Sequence, residues 1–357
     1  MNVLITAPSL DELENVNGIS SIVRSIINNN ETQHKFFHFK IGNRDNSNKD
    51  LKWAFHQISL LPRLALFIKK NKIDTIHLNI FFAKTALLRT LAIFCFLTLF
   101  IRKPVLLHIH GGYLLMNPPQ NRLPYCFIIK YLLHNSNINI VLSQIEQEQL
   151  LRNYQANSYI LPNAVEPSIQ TPGNKNFKGK LKLIFLGRIV ESKGIYLIVE
   201  ALFQLKEYHH LFSFTIYGTG QGLENFLHQL KALESLEFEY KGIAKGIEKW
   251  QAWEAADIFL LPSIYGEGLP IAMLEAMQAG CIPVVSDDAS ITTVVANAVN
   301  GFVIKKGNVQ ELIRVLENVI TKRDGLSNLS NAAKTTIGEK HNISQYMKGL
   351  ELCYTAI

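Results

Sequence analysis

Two glutamates, Glu267 and Glu275, stand with seven residues between them in the run SIYGEGLPIAMLEAMQAGCIPVV, residues 263–285. Pro270 suits the first turn of a helix, because its φ is fixed and its missing N–H would be unpaired there anyway. Gly280 suits the helix exit. A helix start offers free backbone N–H groups and partial positive charge, which together make a phosphate site. Glu267 lies in the loop before that start, and Glu275 lies somewhat more than a turn inside it. A phosphate held between two hydroxyl-reading carboxylates is what a sugar nucleotide needs. A carboxylate pair also serves a glycosidase, but that chemistry leaves the helix start and the cations described next unused.

The run LIFLGRIVESKGIYLIVEAL places Gly187, Arg188 and Lys193 at the end of a strand and before a helix. Arginine supplies a forked double donor and lysine a mobile point charge, so the two together could neutralise a diphosphate. Cations in a loop are otherwise simply solvated; the glutamate pair downstream is what gives them a purpose. In YGTGQGLENF, Gly218, Gly220 and Gly222 resemble a dinucleotide fingerprint, but Leu223 occupies the third glycine position. A close backbone turn, under a ligand or a neighbouring loop, fits these glycines better. Gly18, at the mouth of the first helix, either lets the backbone approach a bound group or simply starts the helix. His110 ends the strand VLLHIH and faces the crevice that open α/β sheets form at their carboxyl edge; His108 lies deeper and reads as core. The chain has no DxD and no His, Cys or Asp set at metal-ligand spacing, so no metal is expected.

These residues need strands to carry them. The chain has 357 residues, 48% of them hydrophobic, enough for two cores and too many for one. Apolar strand candidates alternate with helices: 2–7, 35–40, 74–79, 105–110, 137–143 and 158–162 in the first half, then 182–187, 212–218, LEFEYKG, DIFLLPS, IPVVSD and GFVI. Helices are expected near 19–28, 53–70, 85–101, 145–154, 194–206, 223–233 and 344–357, and one opened by the Asn308/Glu311 capping pattern. Such alternation predicts two doubly wound parallel sheets covered on both faces, each with a crevice at its strand ends. The expected domains are 1–165 and 181–340, joined by a Pro-, Gly- and Asn-rich linker at 166–180, with a C-terminal helix over 341–357. Four cysteines lie far apart with no CxxC pair, as reduced thiols of a cytosolic protein would. The N-terminus reads as a strand, not a signal peptide.

The net charge of +7 is uneven: residues 1–165 carry +8 and residues 166–357 carry −1. The surplus is either a solvated surface or an attraction to an anionic membrane; no nucleic-acid motif accompanies it. The uncharged run Thr90–Ile101, flanked by Arg89 and by Arg102-Lys103, is too short to span a bilayer. It is either a helix buried on the sheet or one that dips into the membrane interface.

GEGLPIAMLEAMQAGCIPVV together with LGRIVESKG resembles the signature of family-four retaining glycosyltransferases, whose fold is GT-B: two Rossmann-like domains facing each other across a cleft. HIHGG, VLS, ILPNAVE, YGTG, ADIFLLPS and NGFVI occur in the family's order, so the resemblance covers most of the chain. It implies that Arg188 and Lys193 hold the donor diphosphate, that Glu275 binds the ribose hydroxyls, and that Glu267 contacts the donor sugar. Gly187, Gly218, Gly268, Leu269 and Pro270 would line the donor site, and Gly18 would let the first loop approach the phosphates. The loop from Lys241 and Gly242 to Lys245 would carry the nucleobase, His110 would lie near the transferred sugar, and the final helix would cross back onto the first domain. The chain departs from the family at ASITTVV (289–295), where members often read GGIPEVV, and at PNAVE, where PNGVD is more common.

The function so implied is retaining transfer of a sugar from a UDP- or GDP-sugar to a glycan or lipid-linked glycan in surface polysaccharide biosynthesis. No cofactor or metal is required, the work is cytoplasmic, and the enzyme is peripheral at the inner membrane face. The alternatives are a nucleotide-sugar epimerase on the same fold and a non-catalytic nucleotide-sugar binding protein.

Overall fold

The computed structural model describes residues 1–12, 14, 17–42, 59–119, 124–168 and 173–357. It divides into two units: Met1–Asn15, Ile19–Asn163 and Ser344–Ile357 form unit 1, and Val16–Gly18 and Ala164–Ile343 form unit 2.

In unit 1, strands β1 (Asn2–Ala7), β2 (Lys35–Lys40), β3 (Thr75–Ile80), β4 (Val105–Ile109), β5 (Ile138–Val141) and β6 (Tyr159–Ile160) form one sheet in the order β2-β1-β3-β4-β5-β6. Every pairing is parallel. Strand β4 is buried at all five residues, which is the mark of a strand covered on both faces. The step from β1 to β2 runs one way along the sheet and all later steps run the other way. Right-handed crossovers therefore put helix Gly18–Asn28 on one face and helices Leu60–Lys70, Lys84–Cys95, Pro124–Asn135 and Gln144–Tyr154 on the opposite face. One apolar core lies under that second layer, with Leu64, Ile68, Leu87, Phe94, Ile129 and Leu150 packed on Ile76, Leu78 and Leu107. Helix Ile343–Thr355 packs on the other side of the sheet, where Tyr354 meets His77 and Tyr346 meets His108.

In unit 2, β7 (Leu181–Leu186), β8 (Phe212–Tyr217), β9 (Phe238–Tyr240), β10 (Ile258–Leu261), β11 (Ile282–Ser286) and β12 (Phe302–Ile304) form a second parallel sheet, ordered β12-β11-β10-β7-β8-β9. The chain builds outward from β7 to β9, then returns to the other side of β7 with β10. The order reverses between β7 and β10, which pair through Ile258 with Leu183 and Phe259 with Ile184. A doubly wound sheet opens its binding crevice at such a reversal, at the carboxyl ends of the strands. The loops that leave those two strands carry the Arg188/Lys193 and Glu267 runs.

All twelve expected strands are present within a few residues of their bounds. The expected helix from Trp53 begins at Leu60; residues 53–58 lie outside the described residues. The helix expected to Ile101 is α-helical only to Cys95 and continues as a π-helical stretch, Phe96–Ile101. Four helices were not expected: Tyr113–Met116, Pro124–Asn135, Gly246–Ala255 and Leu326–Lys340. The stretch read as a linker is counted with unit 2, and Lys175 within it donates to the carbonyls of Trp253, Glu254 and Ala256 at 2.8, 2.6 and 2.5 Å. A cation there satisfies the open carbonyls at the end of helix Gly246–Ala255. The four cysteines are free thiols. Among the described residues, no helix is long and apolar enough to cross a membrane.

Candidate functional site

The unit 2 site is built from three loops at the carboxyl edge of its sheet. The loop after β7 runs from Gly187 to Gly194 through a short 3-10 turn, Glu191–Lys193. Gly194 ends that turn at φ 72°, and a Cβ on it would lie 1.9 Å from the Pro262 carbonyl oxygen, so only glycine allows this approach. The Ile264 N–H then donates to Ser192 O at 2.8 Å, which ties the loop after β10 to the loop after β7.

That tie brings Lys193 and Glu267 together. Lys193 Nζ lies 2.5 Å from Glu267 Oε1, and the Ser263 hydroxyl donates to the same oxygen at 2.5 Å. Glu267 is only 5% exposed, and a carboxylate so far from water requires such partners. Its own N–H donates to Asp288 Oδ2 at 2.9 Å, while Lys306 Nζ lies 3.1 Å from Asp288 Oδ1. Asp288, itself buried, thus holds the Glu267 backbone in place. Arg188 is exposed and, among the described residues, has no ion-pair or hydrogen-bond partner for its guanidinium.

Helix Ile271–Gln278 follows, with Pro270 as its N-cap at φ −65° and ψ 122°. Pro270 therefore precedes the first turn expected to contain it. The extended ψ arises because the chain is still turning out of the loop. No side chain caps this end, so the first-turn N–H groups face outward without a helical acceptor. Gly280 ends the helix as expected, at φ 81°, with the N–H of Cys281 returning to Ala276 O at 2.8 Å. Gly268 and Leu269 are buried in the loop before the helix.

Glu275 is held from helix Gly246–Ala255. Lys249 Nζ lies 2.7 Å from Oε1, and Trp253 Nε1 donates to Oε2 at 3.3 Å. Lys249 and Trp253 are four residues apart and so share a helix face. The three glycines after β8 form the close turn under a neighbouring loop. A Cβ on Gly218 would lie 1.8 Å from Gly187 O, and one on Gly220 2.3 Å from Ile189 O. The Ile189 N–H donates to Thr219 O and the Gly222 N–H to Ile189 O, both at 2.9 Å. The turn is thus a rigid shelf beneath Arg188. A Cβ on Gly187 would make only ordinary contact, with the Phe185 ring at 4.0 Å. Lys241 is exposed and pairs with Glu239 at 3.1 Å, and Gly242 follows at φ 75°. Gly18 opens helix Gly18–Asn28 and is grouped with unit 2; a Cβ there would make only ordinary contact.

Sequence reading missed Ser263, Asp288, Lys306, Lys249 and Trp253. Asp287-Asp288 follow a fully buried strand at its carboxyl end, a signal that was available. Lys249 and Trp253 carried only their four-residue spacing.

In unit 1, His110 follows β4 and is 7% exposed. Its Nε2 lies 2.6 Å from Asn79 Oδ1, and Asn79 Nδ2 donates to Thr6 O at 2.8 Å. Thr6 O can only accept, so the Asn79 amide is oriented with its oxygen toward His110, and His110 must carry its proton on Nε2. Nδ1 is then the open acceptor. Burial pushes the His110 imidazole down to about 3 and His77 to about 3, and it lowers His108 well below the usual range. All three are neutral at ordinary pH. His77 bridges Tyr354 Oη at 2.6 Å and His108 Nδ1 at 3.1 Å, and His108 stacks on His110 with centroids 4.1 Å apart.

Residues 169–336, which lie in unit 2, match the family of glycosyl transferases group 1. WcaL of Salmonella typhimurium, named for colanic acid biosynthesis, is 30% identical over 185 residues, 49% of this chain and 44% of the relative. AmsK of Erwinia amylovora, an amylovoran biosynthesis glycosyltransferase, is 34% identical over 143 residues, 38% of this chain and 35% of the relative. The chain thus covers less than half the length of these curated relatives. Sucrose-phosphate synthase from Thermosynechococcus elongatus superposes with a TM-score of 0.80 over 99% of this chain and 98% of its own, at 14% identity. Anabaena HepE in complex with UDP-glucose superposes at 0.77 over all of both chains, at 15% identity. These likenesses establish the fold, the expected GT-B architecture.

Proposed function

We propose, on the premise that unit 2 is a group 1 glycosyl transferase domain, that the protein is a retaining glycosyltransferase using a UDP- or GDP-sugar. The observation that carries this reading is the meeting of Lys193 and Glu267 at the strand-order reversal of unit 2, beside the uncapped start of helix Ile271–Gln278. Arg188, whose guanidinium has no partner among the described residues, and Lys193 would take the donor diphosphate, with the helix N–H groups adding donors. Their charge needs no rearrangement as the phosphate leaves, which is where fixed electrostatics lower a barrier most. Glu267 would read the sugar hydroxyls and Glu275 the ribose, each already oriented by a lysine. Positive charge from protein side chains takes the part a metal would otherwise play, so a metal-independent reaction is proposed. Neutral His110 would present Nδ1 to a sugar hydroxyl.

The relatives named for colanic acid and amylovoran biosynthesis support a polysaccharide acceptor, here proposed as a glycan or lipid-linked glycan met at the cytoplasmic face of a membrane. The test is a thermal-shift screen of UDP- and GDP-sugars without added metal, since a ligand that binds only the native state raises its melting temperature. One donor should raise the melting temperature, and Glu275→Ala should abolish that shift. A folded protein that no donor shifts would overturn the reading. Consumption of donor without acceptor would replace it with the epimerase, and binding without any turnover with the binding protein.

A further inference from the structure

The charge surplus of the first half has a definite place in the fold. Between Ser59 and Asn135 the sequence holds ten Lys and Arg but a single acidic residue, Asp74. This stretch supplies helices Leu60–Lys70, Lys84–Cys95 with its π-helical extension, and Pro124–Asn135. Right-handed crossovers lay all three on the same face of the unit 1 sheet, where helix Gln144–Tyr154, with the exposed Glu148, lies at the far edge over β5 and β6. None of the three contains an Asp or Glu.

Their outward side is also unusually apolar. Phe100 is 75% exposed and Phe127 64%, and Leu66, Leu88 and Leu99 are more than half exposed. Phe100 and Leu99 come from the π-helical stretch, whose wider turn stacks Phe100 on Phe96 at 5.9 Å. The π-helix ends at Arg102, at φ 56°, and Lys103 follows. Isolated apolar side chains on a surface are ordinary, but a cluster rimmed by charge of one sign marks a contact surface.

We infer that this three-helix face docks on an anionic lipid bilayer, with Phe100, Leu99 and Phe127 entering the headgroup region and Arg102, Lys103 and Lys130 meeting lipid phosphates. Charge decides between a bilayer and a second copy of the chain. Two such faces would bring like charges together, whereas an anionic membrane complements them and presents apolar matter just beneath. The helices remain on the sheet, so docking needs no refolding. The inference does not depend on the donor site, which lies in the other unit.

The experiment is co-sedimentation of the full chain with phosphatidylcholine vesicles, with and without about a third phosphatidylglycerol. The protein should pellet with the anionic vesicles and stay in solution with neutral ones, and binding should weaken severalfold as salt rises from about 0.1 to about 0.5 M. Lys130→Ala should lower partition about fivefold. Phe100→Ser should lower it comparably while leaving the melting temperature and the donor-induced thermal shift unchanged. Phe100→Trp should show a blue shift in emission on mixing with anionic vesicles only. Absence of vesicle binding, equal binding to neutral vesicles, or a concentration-dependent dimer abolished by Phe100→Ser would overturn the inference. Loss of the donor shift with vesicle binding intact would instead count against the proposed reaction alone.

Discussion

The two units each build a six-stranded parallel sheet but turn it to opposite electrostatic ends. Unit 2 pairs its site charges: Lys193 with Glu267, Lys249 with Glu275, Lys306 with Asp288. Unit 1 gathers basic residues on helices Leu60–Lys70, Lys84–Cys95 and Pro124–Asn135 with no acid in any of the three, and keeps the imidazoles beneath its strand ends neutral by burial. Paired charges hold loops in one geometry, which suits recognition of a small polar ligand. Unopposed charge attracts an extended surface, and neutral histidines hydrogen-bond without drawing counter-ions inside.

The contrast is broken most forcefully at Arg188, a site cation with no side-chain partner among the described residues. Arg188→Ala should lower turnover by about 10²–10³ with the fold intact, as loss of one preorganised group at a developing charge does. Unimpaired transfer would remove Arg188 from the phosphate clamp. Acid should next separate the units. The unfolded chain takes up protons on its histidines below about pH 6.5, while His77 and His110 resist until about 3. Stability is therefore complete above pH 6.5 and falls as pH drops toward 3, at up to about 1.4 kcal/mol per pH unit for each imidazole. Unit 1 should melt first near pH 5. In a Trp53→Phe background, emission of Trp250 and Trp253 reports on unit 2, and its earlier loss in a pH series would contradict the assignment.

Asn79→Ala should free the His110 ring to rotate and take either tautomer. The expected result is about a tenfold loss of kcat, the worth of one charged or well-aligned hydrogen bond, with donor affinity unchanged. A loss confined to donor binding would mean that Asn79 serves the fold and not His110. The smallest effect belongs to Ala289. It sits buried at φ 40°, where a Cβ costs about 1–2 kcal/mol, and it follows Asp288, which anchors the Glu267 loop. Ala289→Gly should raise the melting temperature by about 2 °C after the entropy that glycine brings to the unfolded chain. A fall would show that the neighbours already absorb the strain.

These residues also show where sequence stops informing. Arg188, Lys193 and Glu267 were visible because each follows an apolar strand and precedes a helix, and chain-local spacing fixes such a place. The twelve strands were legible for a similar reason: in parallel sheets covered on both faces, each strand is a short apolar run between turn residues. Helix Pro124–Asn135 was hidden because it is apolar almost all round and shows no strong 3.6-residue period. Asp288, Lys249 and Trp253 act through partners that only the folded chain brings near, and the reach from His77 to Tyr354 crosses 277 residues. The glycines 218, 220 and 222 were read correctly as a turn, but the neighbour that needs their small size, the Gly187–Ile189 backbone, is a tertiary fact.

The return of Ser344–Ile357 makes unit 1 discontinuous in sequence, whereas unit 2 is almost one continuous stretch. Unit 2 therefore draws nearly all its contacts from one run, while unit 1 needs Tyr354 and Tyr346 to cover His77 and His108. A chain cut before residue 344 would keep the run that builds the second unit and leave the first open on one side of its sheet.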